Sequence, residues 1–132
     1  MGVFNARFLE ENRTGVGRFA YEVTKRLSKH FPEAQIIAPK NSKIPLNWKV
    51  SVKGFHRGAF WEQFQFPFLI SRNQSWCFNP ANTSSLLLKN NVTVIHDIIP
   101  VTNPGWYSLQ ARIYYRILLP LVIRNAKLLI TV

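Results

Sequence analysis

Short apolar segments alternate with longer segments of helical periodicity along these 132 residues, and this alternation limits the possible folds more than any other feature. The chain begins with an apolar segment at residues 2–9, a glycine-containing loop and a helix that is predicted to end near His30. Five more strands are predicted, at residues 35–38, 48–52, 75–79, 92–95 and 127–132. Strands that alternate with helices form parallel sheets, so the sequence predicts an α/β, Rossmann-like sheet with flanking helices.

Two further helices are predicted where apolar residues recur four apart, over residues 59–70 and 108–125. Trp61 lies beside the first apolar row, which suits packing on the sheet, and Ser108 is of a type that caps helix N-termini. The two rows are Phe60, Phe64 and Phe68, and Leu109, Ile113, Ile117 and Leu121. Three helices are few for six strands, so we expect one face of the sheet to be partly bare.

The chain is strongly basic, with 17 Lys and Arg residues against 6 Asp and Glu residues and a net charge of +11. Its partners are therefore expected to be anions, such as phosphates, nucleic acid or an acidic lipid surface. Nucleic acid is disfavoured because no helix-turn-helix, zinc-finger or RNP-like pattern is present.

The longest apolar run, residues 117–123, is far shorter than the ~18–20 residues that cross a bilayer. A single cysteine, Cys77, cannot form an internal disulfide, which favours the cytoplasm.

The scarcity of acidic residues argues against several enzyme designs. Asp97 is the only aspartate, so no Asp-x-Asp metal motif exists, and the three histidines are too dispersed for zinc; no metal is expected. A glycosidase needs two carboxylates across a pocket, for which Glu62 and Asp97 are the only pair. Cys77 lies on a predicted core strand without a nucleophile motif, which indicates an inert, small apolar residue. A hydrolase is therefore disfavoured.

Residues 14–18 lie between the first strand and the first helix, where free backbone N–H groups and the helix dipole can bind a phosphate. Gly15 and Gly17 let a ligand approach the backbone, and Arg18 adds positive charge. An ordinary loop at the start of a helix explains the same residues equally well. The third glycine of a dinucleotide fingerprint and the Gly-Lys-Ser/Thr ending of triphosphate-binding loops are missing, so tight NAD binding and triphosphate hydrolysis are disfavoured.

His96 and Asp97 follow a predicted buried strand, at the edge where open α/β sheets bind ligands. A neutral imidazole there can donate a hydrogen bond to a sugar hydroxyl or accept one from it. The simpler alternative is a core histidine whose ring is held by a backbone carbonyl group. Asp97 either orients nearby groups or caps the turn before Pro100.

Short motifs occur along nearly the whole chain in a specific order and spacing. They are Asn5-Ala-Arg-Phe-Leu9, Thr14-Gly-Val-Gly-Arg-Phe-Ala-Tyr-Glu22, Trp61-Glu-Gln63, Asn79-Pro-Ala-Asn82, Val92-Thr-Val-Ile-His-Asp97, Tyr115-Arg116, Leu119-Pro120 and residues 126–132. Together they resemble the N-terminal domain of the family-four glycosyltransferases, retaining, nucleotide-sugar-dependent enzymes built from two Rossmann-like domains in the GT-B architecture. Mannosyl- or rhamnosyl-type transferases of bacterial surface-polysaccharide assembly are the most similar members.

The resemblance implies a role for each of the residues that match the family's motifs. Gly15 would lie against the donor diphosphate, with Gly17 and Arg18 beside it, and His96 would touch the transferred sugar. Thr14 departs from the family pattern, in which many relatives carry a second glycine. The residues implied to support or shape the acceptor side are Trp61, Glu62, Asn79 and Asp97. The co-substrate would be a nucleotide sugar, with neither cofactor nor metal, and the acceptor a glycan or a lipid-linked molecule.

In this family the nucleotide-sugar pocket and a two-glutamate motif belong to a C-terminal domain, so the resemblance implies that residues 1–132 are a truncated, acceptor-side half of a GT-B fold. We expect little transfer activity from this half, and expect it to pair with the missing C-terminal half or with a second copy. The net charge suits a peripheral position on the inner face of a membrane. The alternative is a non-catalytic basic module that binds nucleic acid or a partner protein, or an inactive truncated fragment.

Overall fold

The computed structural model describes residues 1–70 and 72–132. In these residues six parallel strands form one sheet in the order β3-β2-β1-β4-β5-β6. The strands are β1 (Gly2–Asn5), β2 (Gln35–Ala38), β3 (Val50–Val52), β4 (Trp76–Asn79), β5 (Asn91–Ile95) and β6 (Leu128–Thr131). The predicted α/β, Rossmann-like fold is confirmed. The strand order reverses between β1 and β4, which is where open α/β sheets bind ligands.

Four helices connect the strands in the described part of the chain. They are α1 (Gly15–His30), α2 at residues 58–69, α3 (Ile99–Thr102) and α4 (Leu109–Asn125). α2 is continuous but irregular, with a π-helical turn at Trp61–Gln65 between Gly58–Phe60 and Phe66–Leu69. Ser108 caps α4 as predicted, because its hydroxyl oxygen accepts a hydrogen bond from the N–H of Ala111 at 3.3 Å.

The first strand is shorter than predicted because its last side chain competes with the backbone. β1 ends at Asn5, whose Oδ1 accepts the N–H of Arg7 at 3.1 Å and turns the chain into a 3-10 helix at Arg7–Glu10. The strand predicted at 48–52 likewise begins only at Val50, since the N–H of Trp48 donates to the Pro45 carbonyl at 3.2 Å in a turn. The remaining strands begin and end within one residue of their predicted bounds.

The helices divide between the two faces of the sheet. On one face, α1 covers alternate strand residues such as Phe4, Ile36 and Phe78. On the other, Val3, Ile37 and Cys77 pack against Trp61 and Phe66 of α2, and Ile95 packs against α4; the core residues of α4 are Leu118, Leu119 and Val122. This is the arrangement that right-handed crossovers impose when the strand order reverses after β3.

The predicted packing of the phenylalanine row of α2 on the sheet is wrong. Phe60, Phe64 and Phe68 are 51%, 58% and 78% exposed, whereas Trp61 and Phe66 are fully buried. The cause is the π-helical turn, in which the N–H of Phe66 bonds to the carbonyl of Trp61 five residues earlier. The wider turn aligns residues five apart, so Trp61 and Phe66 share the inner face and the row that recurs every four residues turns outward.

The apolar row of α4 also faces solvent. Its four members are 69%, 53%, 60% and 41% exposed, in the order Leu109, Ile113, Ile117 and Leu121. The expected bare area is on the face that α1 covers, where a groove of about 590 Å³ lies beside α1. Apolar residues that line this groove include Phe31, Trp76, Phe78, Val92, Leu128 and Ile130.

The ring of Trp76 on β4 packs so closely against β1 that position 2 requires a glycine. A Cβ atom at this position would lie 2.0 Å from Cζ2 of Trp76, whose ring is held by Phe4 at 5.3 Å and Phe31 at 5.1 Å between centroids. We therefore expect Gly2→Ala to lower the free energy of unfolding by about 1–3 kcal/mol, measured by urea denaturation. Gly105→Ala is the matched control, because its added Cβ meets nothing within 4 Å and should leave stability unchanged. Equal stability of the two variants would contradict this packing.

Candidate functional site

The start of α1 carries backbone donors that the helix leaves free. Thr14 precedes the helix in an extended conformation, and its side chain forms no capping hydrogen bond. The first helical bond runs from the N–H of Arg18 to the carbonyl of Thr14 at 2.8 Å. In the described structure the N–H groups of Gly15, Val16 and Gly17 therefore have no partner, at the positive end of the helix dipole.

The two glycines at this helix start are not needed by the chain's own packing. A Cβ atom on Gly15 would meet nothing within 4 Å, and one on Gly17 would have its nearest neighbours at 3.8 Å. Neither residue has a positive φ. Arg18 lies exposed beside them. The two glycines therefore leave open space beside the free N–H groups, which favours the close approach of an anion.

A cavity of about 180 Å³ opens between α1, the loop after β1 and the loop after β4. Its polar lining residues are Arg7, Glu11, Asn12, Thr14, Asn82 and Tyr115, and Gly17 lines it as well. The Asn12 side chain is held by Lys43, whose Nζ donates to Oδ1 at 2.7 Å. The cavity therefore lies at the reversal of strand order and adjoins the start of α1.

His96 is anchored on the same edge of the sheet, directly after β5. Its Nε2 lies 2.8 Å from the Pro80 carbonyl, to which it donates, and its backbone N–H donates to Oδ1 of Asn82 at 2.7 Å. The ring contacts Phe19 of α1 edge to face, with centroids 4.6 Å apart. Nδ1 has no hydrogen-bond partner among residues 1–70 and 72–132. The carbonyl-held ring of the simpler prediction is thus present, and one ring nitrogen is left available.

Asp97 caps the turn that follows β5. Its Oδ1 accepts the N–H of Ile99 at 3.1 Å, at the start of α3 and just before Pro100. Of its two predicted roles, the capping role is the one that the hydrogen bond supports.

Three of the four residues predicted to support the acceptor side, Trp61, Glu62 and Asn79, are buried. Trp61 packs in the core, and its Nε1 donates to the Lys53 carbonyl at 2.9 Å. Asn79, at the end of β4, donates through Nδ2 to Oδ1 of Asn91 at 3.1 Å. These side chains cannot touch a ligand at the surface, so any support that they provide is indirect.

Glu62 is the centre of a buried polar network under the cavity. Its Oε1 accepts from Nδ2 of Asn5 at 2.8 Å and lies 3.5 Å from Nε of Arg7, and its Oε2 accepts from the Thr83 hydroxyl at 2.7 Å. Nδ2 of Asn5 also donates to Oδ1 of Asn79 at 2.9 Å. The network joins the ends of β1 and β4 to α2, so it determines the position of the Arg7 side chain that lines the cavity.

Charge and burial act on the groups around this network. Burial is the largest influence on Arg7 and lowers its pKa, but the combined attraction of Glu62, Tyr114, Glu11 and Tyr115 outweighs it and holds the guanidinium pKa above its usual value. Burial raises the pKa of Tyr114 to about 12, and the nearby negative charge of Glu62 acts in the same direction. Burial also raises the pKa of the Cys77 thiol, as the predicted inert role requires. Arg7 therefore presents a permanent positive charge at the cavity.

Sequence reasoning did not identify Arg7, Asn5 and Thr83 as members of the site. The signal that could have found them is a polar residue at the end of a strand. Asn5 and Asn79 both end strands, and the ends of neighbouring parallel strands lie side by side.

Within the described ranges no three His, Cys, Asp or Glu side chains are grouped closely enough to bind a metal ion. None of the helices described here is both long and apolar enough to span a bilayer.

Comparison with known proteins found no family model that matches the chain, no similar curated protein and no similar solved structure.

Proposed function

We propose that the chain is the N-terminal, acceptor-side domain of a family-four retaining glycosyltransferase of the GT-B architecture. The enzyme would transfer a hexose, of the mannosyl or rhamnosyl type, from a nucleotide sugar to a lipid-linked or polysaccharide acceptor. The Rossmann-like sheet and the motif order support this proposal. The observation that carries it is the contact of His96 with Phe19, which brings the imidazole next to the helix that presents the free N–H groups.

In this proposal the two groups act on opposite sides of the bond that breaks. The N–H groups at the start of α1, with Arg18, stabilise the negative charge that develops on the departing nucleoside diphosphate. Nδ1 of His96 contacts a hydroxyl of the sugar while the anomeric carbon acquires oxocarbenium character. The bond between the anomeric carbon and the diphosphate oxygen breaks, the acceptor hydroxyl oxygen bonds to the anomeric carbon on the same face, and the hydroxyl proton passes to the departing diphosphate.

The proposal includes a second domain that completes the cleft. Positioning of donor and acceptor lowers the activation barrier of such reactions by roughly 7–11 kcal/mol, and one domain alone cannot position both substrates. We therefore expect the chain to pair with a donor-binding partner and to show little transfer activity without one. A cytoplasmic, membrane-peripheral location belongs to the same proposal, since the acceptor would be lipid-linked.

Binding of inorganic pyrophosphate tests the anion site directly. We expect isothermal titration calorimetry to detect binding that Gly15→Ala weakens about five-fold or more, because the added methyl group occupies the open space beside the free N–H groups. The same substitution should raise the free energy of unfolding by about 0.5 kcal/mol, since glycine is unfavourable in a helix. Gly105→Ala, which also adds a Cβ in open space, should leave binding unchanged.

The basic net charge of +11 favours one rival function, a non-catalytic anion-binding module. Binding of a single-stranded oligonucleotide that weakens steeply with salt, together with no response to pyrophosphate, would favour this rival. Equal affinity of the Gly15→Ala variant and the unmodified chain for pyrophosphate would also count against the transferase proposal.

A further inference from the structure

Two apolar rows that face solvent lie on the same side of the sheet. Both α2 and α4 cover the face opposite to α1, and each turns an apolar row away from the core. We call this the outer surface; its members are Phe60, Phe64 and Phe68 of α2 and Leu109, Ile113, Ile117 and Leu121 of α4. We propose that the outer surface is a docking surface for an anionic phospholipid bilayer. This inference rests on the membrane-peripheral location that the proposed function includes, and vesicle binding tests it without any transfer activity.

The aromatic half of the outer surface is a connected strip of rings. The centroids of Phe60 and Phe64 are 5.1 Å apart, and His56 extends the strip with its ring 4.5 Å from that of Phe60. Phe55, which is 75% exposed, follows at 4.6 Å from His56. Rings arranged in this way present apolar area at low entropic cost, as in proteins that insert aromatic side chains at a membrane interface.

The aliphatic half lies on the side of α4 away from its core residues. An α-helix turns about 100° per residue, so residues four apart form one stripe, and Ile113 and Ile117 lie on the side of α4 opposite to Val122. The loop between β4 and β5 connects the two halves. Oε1 of Gln63 in α2 accepts the N–H of Leu86 at 3.1 Å, and Leu86 packs on the core residues of α4.

Charge identifies the occupant of this surface. Between residues 57 and 132 the only acidic side chains are Glu62, which is buried, and Asp97, which caps the turn after β5 at the sheet edge. The cations of the same segment that are exposed include Arg57, Arg72, Lys89, Arg116 and Arg124. The helices and loops of residues 57–132 therefore combine apolar side chains with exposed positive charge and no exposed acidic side chain, and the half-buried carboxylate of Glu10 reaches their edge, where it accepts the N–H of Gly58 at 3.0 Å.

An anionic bilayer satisfies both components at once. Apolar side chains enter the boundary between headgroups and acyl chains, while arginine and lysine remain at the level of the lipid phosphates. A second copy of the chain satisfies only the apolar component, because a symmetric contact would bring the same cations together. The charge distribution thus favours lipid over self-association.

The test is sedimentation of the full chain with vesicles of phosphatidylcholine, with and without 30% phosphatidylglycerol (roughly the anionic content needed for a strong surface potential). We expect binding to the anionic vesicles, and at least ten-fold weaker binding to pure phosphatidylcholine or at high salt. Phe64→Ser and Ile117→Ser should each lower binding about ten-fold. Arg116→Gln and Arg124→Gln should each lower it about five-fold.

Leu46→Ser is the matched control, since Leu46 is 92% exposed but lies on the α1 side of the molecule, beside Trp48. It should leave vesicle binding unchanged. All four surface variants replace exposed side chains, so unaltered urea denaturation curves are expected to show that they fold. Equal binding to both vesicle types, or equal loss in the Leu46→Ser control, overturns the proposal. A dimer in solution that Phe64→Ser dissociates, without any vesicle binding, overturns it in favour of a second copy.

Discussion

Glu62→Ala is expected to lower the free energy of unfolding by about 3–5 kcal/mol, the usual cost of removing one partner of a buried ion pair. The substitution leaves the largely buried guanidinium of Arg7 without its counter-charge. It also removes one of the two acceptors of the Asn5 amide and the acceptor of the Thr83 hydroxyl, and both of these groups are buried away from water. The loss should therefore exceed that of an ordinary surface carboxylate by several-fold.

Urea denaturation followed by circular dichroism measures this effect. Glu22→Ala is the control, because the Glu22 carboxylate pairs with Arg26 at 3.7 Å while both side chains are well exposed, and such pairs contribute about 0.5 kcal/mol or less. Glu62→Gln should fall between the two, since one amide oxygen can still accept while the amide nitrogen faces a donor. A loss for Glu62→Ala as small as that for Glu22→Ala would mean that the network does not hold the ends of β1 and β4 together.

His96→Gln is expected to lower kcat by at least about 100-fold in an enzyme that joins this domain to a donor-binding domain of the same class. The glutamine amide nitrogen can replace Nε2 and keep the bond to the Pro80 carbonyl, but nothing replaces Nδ1. Stability should therefore change by less than about 1 kcal/mol. Loss of turnover without loss of stability separates a contact with the sugar from a role in packing.

His96→Asn is the complementary variant, because the asparagine amide lies near the position of Nδ1 and cannot reach Pro80. We expect it to keep more turnover than His96→Gln and to lose more stability, read from steady-state kinetics and thermal unfolding. Parallel loss of turnover and stability in both variants would reduce His96 to a residue that packs against Phe19. Full activity of His96→Gln would show that the imidazole takes no part in the proposed reaction.

The sheet could be predicted because its signals are local. Strands such as β2 and β4 are short apolar runs bounded by turn residues, and α1 is an amphipathic segment that follows a glycine-containing loop. The orientation of α2 could not be predicted in this way. Its inner face depends on the π-helical turn at Trp61–Gln65, and a rule of four residues per apolar repeat selects the wrong face there.

The residues of the candidate site also differ in whether local sequence signals could predict them. The loop at Gly15 and the strand end at His96 were both predicted as ligand contacts, since each has a chemical identity that can be read from neighbouring residues. The buried network was only partly visible in the sequence. Glu62 is 57 residues from Asn5 and 21 from Thr83, and nothing local to any of the three indicates the others.

The amino-acid sequence by itself determined the parallel α/β fold, the positive charge and the free amides at the start of α1, because periodicity, composition and a glycine-containing loop act over a few residues. Tertiary structure alone decided that Glu62 turns inward to Arg7, that His96 meets Phe19, and which apolar rows face solvent. Those outcomes depend on contacts between distant segments, for which strand order and helix register set the distances.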